Sequence, residues 1–329
     1  MLSGFLLGRP YIDALLGYRA MPKATLYARR RFLRIWPAYG VVVLIGAGML
    51  GFHHGRHPAS LVDIVAHLTM LHDFSAEYAW GVGNIPLWTM GVDSQFYVAL
   101  PIAAWLILRL TPDGTRSRIR VIAAAIGGAI VLSFVWRIFA MHAYPGLAWS
   151  SVELQVTQRG VIGMGVCFAL GGVVALMQAT AVKLSTAIAA AVFAGGVALA
   201  LAVFAITLWC PVEWLPFTDY LGALSAAGLI LGGMHLRSTW VGRLVEAPPI
   251  AAGAVYAYCI YLVHAPVKWM IWAFLERVHM HFGTFAFSAS LLTLFGITSC
   301  LAAGLLHHFV EQPFLTMKER ARETVAAMP

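Results

Sequence analysis

A cluster of arginines near the amino terminus has the residue type and the spacing to hold an anionic ligand. Residues 29–39 read RRRFLRIWPAY, and Arg30 and Arg31 lie four and three residues before Arg34. On a helix these spacings place the three guanidinium groups on one face. A guanidinium matches two phosphate oxygens at once, so the cluster predicts a cradle for a phosphorylated ligand. Charge alone leaves a second interpretation open, in which the arginines only anchor the next helix by reaching lipid phosphates.

An acidic residue inside an apolar stretch is a second candidate for chemistry. The sequence NIPLWTMGVDSQFYVALP, at 84–101, holds Asp93, and Tyr97 follows four residues later on the same helical face. An ionisable side chain within a membrane is costly, which makes Asp93 a candidate functional residue. The spacing leaves an alternative open, a structural hydrogen bond or ion pair to a neighbouring helix.

A histidine in another apolar run has a lysine one helical turn away. In YCIYLVHAPVK, at 258–268, His264 and Lys268 are four residues apart, and the cation should favour the neutral imidazole. A neutral imidazole suits hydrogen bonding or general-base work, although a satisfied core histidine fits the pattern as well. Glu311 follows the last apolar run, and we expect it to pair with an arginine of the basic loops.

The remaining histidines and the cysteines fit a catalytic or metal-binding role less well. His67 and His72 are five residues apart, so a helix would point them in different directions. Three histidines share a polar loop and are a weak metal-binding candidate: His53, His54 and His57. The four cysteines have no paired spacing and are predicted to be structural thiols: Cys167, Cys210, Cys259 and Cys300. We therefore predict no metal site.

The elements that must position these residues are membrane-spanning helices. Of the 329 residues, 60% are hydrophobic and 11% are charged, whereas soluble domains carry about 25% charged residues. Runs of about 20 apolar residues must satisfy their backbone hydrogen bonds internally, which predicts an all-α polytopic bundle of about eight full transmembrane helices. The predicted spans are 35–52, 86–108, 119–140, 160–178, 184–209, 217–236, 250–275 and 283–306. Residues 1–18 form an incomplete ninth piece, and 61–72 is too short to cross and is predicted to be interfacial or re-entrant.

The basic residues orient this bundle, which we interpret as one membrane-embedded domain over 1–329. If the loop 19–34 is cytoplasmic, all but five of the 22 lysines and arginines lie on that side, as the positive-inside rule predicts. The segment 308–329 is then a short cytoplasmic tail, and the chain is a multi-pass protein of the cell (inner) membrane. The formal net charge of +8 reflects this topology and contact with anionic lipids, and it gives no support for nucleic-acid binding.

Five of these stretches, in order, resemble the integral-membrane acyltransferases of family three, the sugar O-acetyltransferase type. They are LSGFLL (2–7), RRFLRIWPAY (30–39), LWTMGVDSQFYVALP (87–101), VYAYCIYLVHAPV (255–267) and FVEQP (309–313). The acidic position of the third motif is usually glutamate in the family and is Asp93 here. The resemblance begins at the family's second helix, and the first, with the histidine thought to act as catalytic base, has no counterpart in this sequence. We expect either that the natural protein is longer or that the chain is a remnant.

The resemblance implies transfer of an acyl group, most often acetyl, from acyl-coenzyme A to a hydroxyl of a carbohydrate or glycolipid of the cell envelope. Arg30, Arg31 and Arg34 would hold the phosphates of the coenzyme, and Asp93, Tyr97 and His264 would line or orient the reaction site. Acyl-coenzyme A is then a co-substrate, and no metal is implied. Two alternatives remain open: a catalytically inactive remnant of the family, and a small-molecule transporter, although no internal repeat of the transporter kind is visible.

Overall fold

The described part of the chain is mainly helical. A computed structural model describes residues 1–50, 60–79, 82, 85–111, 114–144, 151–209, 217–278 and 285–317, and these ranges contain no β-strand. The helices are α1 Leu2–Leu15, α2 Ala24–Leu50, α3 Leu61–Leu68, α4 Trp88–Leu110, α5 Thr115–Ala143, α6 Val152–Arg159, α7 Gly165–Ala179, α8 Thr186–Trp209, α9 Thr218–His235, α10 Trp240–Val245, α11 Pro248–Arg277 and α12 Phe285–Leu306. Short 3₁₀ turns lie at His72–Phe74 and Ile85–Leu87, and a π-helical turn at His307–Glu311 follows α12.

Six helices of the described ranges are long and apolar enough to cross a membrane, which confirms the all-α polytopic class. These segments are Ala24–Gly48, Trp88–Leu110, Thr115–Ala143, Thr186–Trp209, Pro248–Arg277 and Phe287–Met317. At a rise of about 1.5 Å per residue, each is longer than the roughly 30 Å hydrocarbon core of a bilayer. Two predicted spans are not among these six. In 160–178 the apolar helix α7 begins only at Gly165 and has 15 residues, and in 217–236 helix α9 has 18 residues. All eight predicted runs nevertheless contain a helix.

Helix α2 begins earlier than its apolar run, at Ala24. The arginines of the basic cluster are therefore part of the same helix as the span, as their spacing predicted. Helix α2 continues through Pro37. Proline inside a helix leaves a carbonyl without its N–H partner, which membrane helices tolerate when other groups supply hydrogen bonds.

The described chain divides into two compact units, which are considered separately. The first unit is Met1–Ala24, Asp73–Ala76 and Val92–Ala247, and the second is Thr25–His72, Glu77–Gly91 and Pro248–Pro329. In the first unit α7 packs against α1, α5 and α9, and α8 packs along α9. A Cβ atom on Gly171 of α7 would lie 2.5 Å from the backbone nitrogen of Phe5 in α1. This close backbone approach is typical of membrane helices that pack through small residues.

In the second unit, α11 packs against α12, and the short helix α3 is fixed to α2. Ser60 and Asp63 form a reciprocal capping box that starts α3. At its other end, the Trp36 indole donates to the carbonyl of Leu68 at 2.9 Å, and the Tyr39 hydroxyl donates to the carbonyl of His67 at 2.8 Å. These bonds place the end of α3 beside the middle of α2.

Candidate functional site

In the first unit, Asp93 accepts two side-chain hydrogen bonds. The Ser3 hydroxyl donates to Asp93 Oδ2 at 3.2 Å and the Tyr97 hydroxyl donates to the same atom at 3.3 Å. The second bond confirms that Asp93 and Tyr97 share a face of α4. Ser3 was not singled out from the sequence, since a serine in an apolar helix carries no signal of its own. The carboxylate is thus held in place by donors from α1 and α4.

The first unit also contains a fully buried arginine that the sequence analysis did not select. The Arg137 side chain on α5 has 0% exposure and donates to the carbonyls of Gln158 and Gly163, at 3.5 and 3.4 Å. Its guanidinium lies 4.1 Å from the ring centroid of Tyr220 and pairs with Asp219 at 3.7 Å. These partners lie between α6 and α7 and at the start of α9. Arg137 therefore fixes the backbone between these helices, which is a structural role.

A second carboxyl of the first unit, Asp73, is buried outside the membrane spans. Burial raises its pKa to about 8, against the opposing influence of a hydrogen bond to the Val92 backbone and of the Arg159 charge. Asp73 is therefore mainly protonated at neutral pH. Protonated carboxyl groups can donate a hydrogen bond as well as accept one.

In the second unit, the predicted anion-binding arginines lie on the first turns of α2. Arg30 and Arg31 are half-buried, whereas Arg34 is exposed. Their three guanidinium groups gather positive charge on this part of α2. This end of α2 has the electrostatic character that an anionic ligand requires.

Two buried histidines of the second unit stack on each other, and here the sequence prediction was wrong. The rings of His67 and His72 lie 4.1 Å apart at an interplanar angle of 9°, and neither side chain is exposed. The five-residue spacing misled because α3 ends at Leu68 and Met70 takes a left-handed conformation, at φ 58°, so the helical period does not reach His72. Burial lowers the pKa of His67, and burial together with the neighbouring His67 lowers the pKa of His72 to about 3. Both imidazoles are neutral at physiological pH.

His264, the third histidine of this unit, lies half-buried in the middle of α11. Its Nδ1 is in hydrogen-bond contact with the carbonyl of Tyr261. Since a carbonyl only accepts, Nδ1 carries the proton, and Nε2 is the acceptor in a neutral ring. Lys268, expected to influence His264, is exposed, and its ammonium lies 4.9 Å from the centroid of the Trp269 ring. The Tyr261 hydroxyl is itself fixed by Thr89 and by the carbonyl of Pro86.

A fourth group of the second unit joins α11 to the π-helical turn after α12. Glu311 has 2% exposure, and its Oε2 atom lies 2.7 Å from His307 Nδ1 and 3.2 Å from Cys259 Sγ. The expected partner of Glu311 was an arginine, and the side chain that contacts its carboxylate at 2.7 Å is His307 instead. The i, i+4 spacing of His307 and Glu311 is a signal that the sequence analysis did not use.

Four residues named in the sequence analysis lie outside the described residues. They are the histidines predicted as a weak metal site, His53, His54 and His57, and also Cys210.

These observations define a polytopic helical membrane protein with a basic helix end and with ionisable side chains buried in each of its units. The profile of acyltransferase family 3, described as "Acyltransferase domain", matches residues 1–307 of the sequence. The chain therefore belongs to this family of membrane acyltransferases, as the sequence motifs indicated. Comparisons with curated proteins and with solved structures give no match.

Proposed function

We propose that the protein transfers an acyl group, typically acetyl, from acyl-coenzyme A to a hydroxyl of a carbohydrate or glycolipid in the cell envelope. The observation that carries the proposal is the family match over residues 1–307 in a chain whose arginine cluster lies at the amino end of a membrane helix. Coenzyme A carries a pyrophosphate and a ribose phosphate, so it is the kind of donor that such a cluster suits.

Arg30, Arg31 and Arg34 are assigned to the phosphates of this donor. The exposed guanidinium of Arg34 is open to a ligand from solution, and the half-buried Arg30 and Arg31 lie one turn earlier on α2. Charge-assisted hydrogen bonds to phosphate are worth about 1.5–3 kcal/mol each. Two such contacts account for an affinity difference of roughly 10²-fold or more.

His264 is assigned to the reaction site, where its Nε2 orients the acceptor hydroxyl by accepting a hydrogen bond from it. The acceptor hydroxyl loses its proton to a general base, its oxygen attacks the thioester carbonyl to form the C–O bond, and the C–S bond breaks. The proton then passes to the departing coenzyme thiolate. General-base catalysis by a positioned side chain contributes about 10²–10⁴-fold to rate. The carboxylate of Asp93 and the hydroxyl of Tyr97 are assigned to hydrogen bonds with acceptor hydroxyls.

The orientation follows from charge. We place the protein in the inner membrane, with residues 19–34 and the carboxyl terminus in the cytoplasm. The arginines then face the compartment in which acyl-coenzyme A is made. The proposed partners are acyl-coenzyme A, an envelope carbohydrate or glycolipid, and anionic membrane lipids. Cysteine accessibility at each terminus to a membrane-impermeant reagent tests this orientation.

Binding of coenzyme A to the full chain in lipid nanodiscs tests the donor assignment. We expect acetyl-coenzyme A to bind, and the double variant Arg31→Ala, Arg34→Ala to lose roughly 10²-fold in affinity. Arg277→Ala, which removes an exposed arginine from the end of α11, is the matched control and should bind normally. Unchanged binding by a double variant that still inserts into the membrane would leave the arginines as lipid anchors only.

Turnover separates an enzyme from the two alternatives. Release of free coenzyme thiol that depends on a carbohydrate acceptor, and that falls by about 10²-fold or more in His264→Gln, is the expected result. Binding without release, under the same conditions, would favour the catalytically inactive alternative. Movement of an unmodified solute across proteoliposomes would favour a transporter.

A further inference from the structure

Cys259, His307 and Glu311 offer a sulfur, a nitrogen and an oxygen to one point inside the second unit. One ligand atom from each residue lies within 4.8 Å of the other two. Cys259 has 0% exposure and Glu311 has 2%, and the His307 side chain is 13% exposed. Among the residues that the structure describes, this is the one group of three or more potential metal ligands.

The backbone brings these residues together by an unusual local conformation. His307 and Glu311 begin and end a π-helical turn, and such turns are rare and frequently lie at functional sites. The Tyr256 ring, at 5.0 Å and 74° to the His307 ring, holds the imidazole edge-on against α11. Cys259 comes from α11 itself, so the cluster ties two parts of the unit that are far apart in sequence.

The donor set and its dimensions suit zinc. Zinc binds cysteine sulfur at about 2.3 Å and histidine nitrogen or carboxylate oxygen at about 2.0–2.2 Å, which separates tetrahedral ligands by roughly 3.3–3.6 Å. The distance between Cys259 Sγ and Glu311 Oε2, 3.2 Å, is close to that range. The distance between His307 Nδ1 and Glu311 Oε2, 2.7 Å, is a direct hydrogen bond that must open slightly to admit the ion.

Charge also favours a divalent cation at this point. A thiolate and a carboxylate together neutralise a zinc ion, and burial makes an unbalanced carboxylate costly.

We propose that Cys259, His307 and Glu311 bind one zinc ion, with a fourth position open to water or another ligand. Binding displaces the thiol proton of Cys259 and the proton shared by His307 and Glu311. The site links α11 to the helical segment after α12. This proposal departs from the prediction, made from the sequence, that the chain has no metal site.

Metal content of the full chain tests the proposal. The protein is purified through a tag without histidine, exposed to zinc chloride, passed through a desalting column in nanodiscs, and analysed by mass spectrometry for metals. We expect about one zinc ion per chain, lost in Cys259→Ser and in His307→Gln. Cys300→Ser and His308→Ala remove an exposed cysteine of α12 and the exposed neighbour of His307, and both should retain the metal.

Cobalt substitution supplies a readout that does not depend on activity or on the stability of the variants. A cobalt–thiolate bond gives a near-ultraviolet charge-transfer band, which we expect in the wild-type chain and in Cys300→Ser but not in Cys259→Ser. Wild-type protein that retains no zinc, or a band that persists in Cys259→Ser, would overturn the proposal. Coenzyme binding is measured separately, so failure of the zinc site leaves the proposed function untouched, and the converse also holds.

Discussion

The two units use their buried polar groups in different ways. In the first unit the buried Arg137 bonds to backbone carbonyls and stacks on Tyr220, and the Tyr220 hydroxyl donates to the carbonyls of Ser133 and Gly163. In the second unit the buried Glu311 and Cys259 bond to each other, and His307 completes the group. The first pattern holds a backbone in place, whereas the second gathers ionisable side chains around one point.

The difference shows that an ionisable residue within a membrane is not by itself a functional site. Arg137 has 0% exposure and Glu311 has 2%, although Arg137 lies within a predicted apolar span and Glu311 lies just after one. What distinguishes them is the chemistry of their partners, because backbone carbonyls cannot change protonation state and imidazole and thiol groups can. Each prediction below tests whether a unit behaves as its pattern of partners implies.

The largest effect is expected on removing the buried arginine of the first unit. Arg137→Met leaves two carbonyls and the partly exposed carboxylate of Asp219 without this partner, and each buried polar group that loses its hydrogen bond costs about 1–3 kcal/mol. We expect a large fall in the free energy of unfolding, measured by thermal unfolding in detergent. Arg109→Met, which alters an exposed arginine stacked on Trp105, should change stability little. Equal stability of the two variants would refute the structural role of Arg137.

The helix contact of the first unit predicts the next effect. The Cβ atom in Gly171→Ala would meet the backbone of α1, and overpacking of this kind costs about 1–3 kcal/mol. Gly195→Ala, on α8, adds the same atom where nothing lies within 4 Å and is the control. The same unfolding measurement applies, and a harmless Gly171→Ala would show that α1 and α7 are not in such close contact.

The second unit is expected to lose stability in acid through its stacked histidines. The pKa of His72 is about 3 in the folded chain and 6.5 in the unfolded chain, so below pH 6.5 the unfolded state alone gains the proton. Stability should therefore fall by about 1.4 kcal/mol per pH unit as the pH decreases from about 6.5 to about 3. The difference in unfolding free energy between wild type and His72→Asn, followed against pH, measures this slope, and His308→Asn is the exposed control.

Asp73, in the first unit, should show the opposite slope. Its pKa is about 8 in the folded chain and 3.8 in the unfolded chain, so the folded state holds the extra proton between these values. The contribution of Asp73 to stability is present in acid and is lost as the pH rises towards about 8. Asp73→Asn should remove this pH-dependent contribution to the free energy of unfolding. If the contribution of Asp73 instead changed with pH in the same direction as that of His72, burial would not keep the carboxyl protonated.

The sequence predicted the framework well and the buried clusters poorly, for a physical reason. Apolar runs of sufficient length dictate membrane helices, and a four-residue spacing is enough to place Asp93 and Tyr97 on one face of α4. The stacking of His67 on His72 depends on a left-handed residue between them, and the group of Cys259 and Glu311 depends on the packing of distant segments. Neither follows from periodicity, which extends only as far as a regular helix does.

The smallest effect concerns the hydrogen bonds that hold Asp93. Tyr97→Phe and Ser3→Ala each remove one donor to Asp93 Oδ2, and a single hydrogen bond contributes about 0.5–1.5 kcal/mol. If Asp93 is only a structural acceptor, each loss lowers stability by that amount and leaves acyl transfer unchanged. If Asp93 orients the acceptor, Tyr97→Phe should also raise the apparent KM for the carbohydrate and leave binding of acetyl-coenzyme A as it was. A double-mutant cycle with Asp93→Asn measures the coupling, and additive effects on KM would mean that Tyr97 does not act through Asp93.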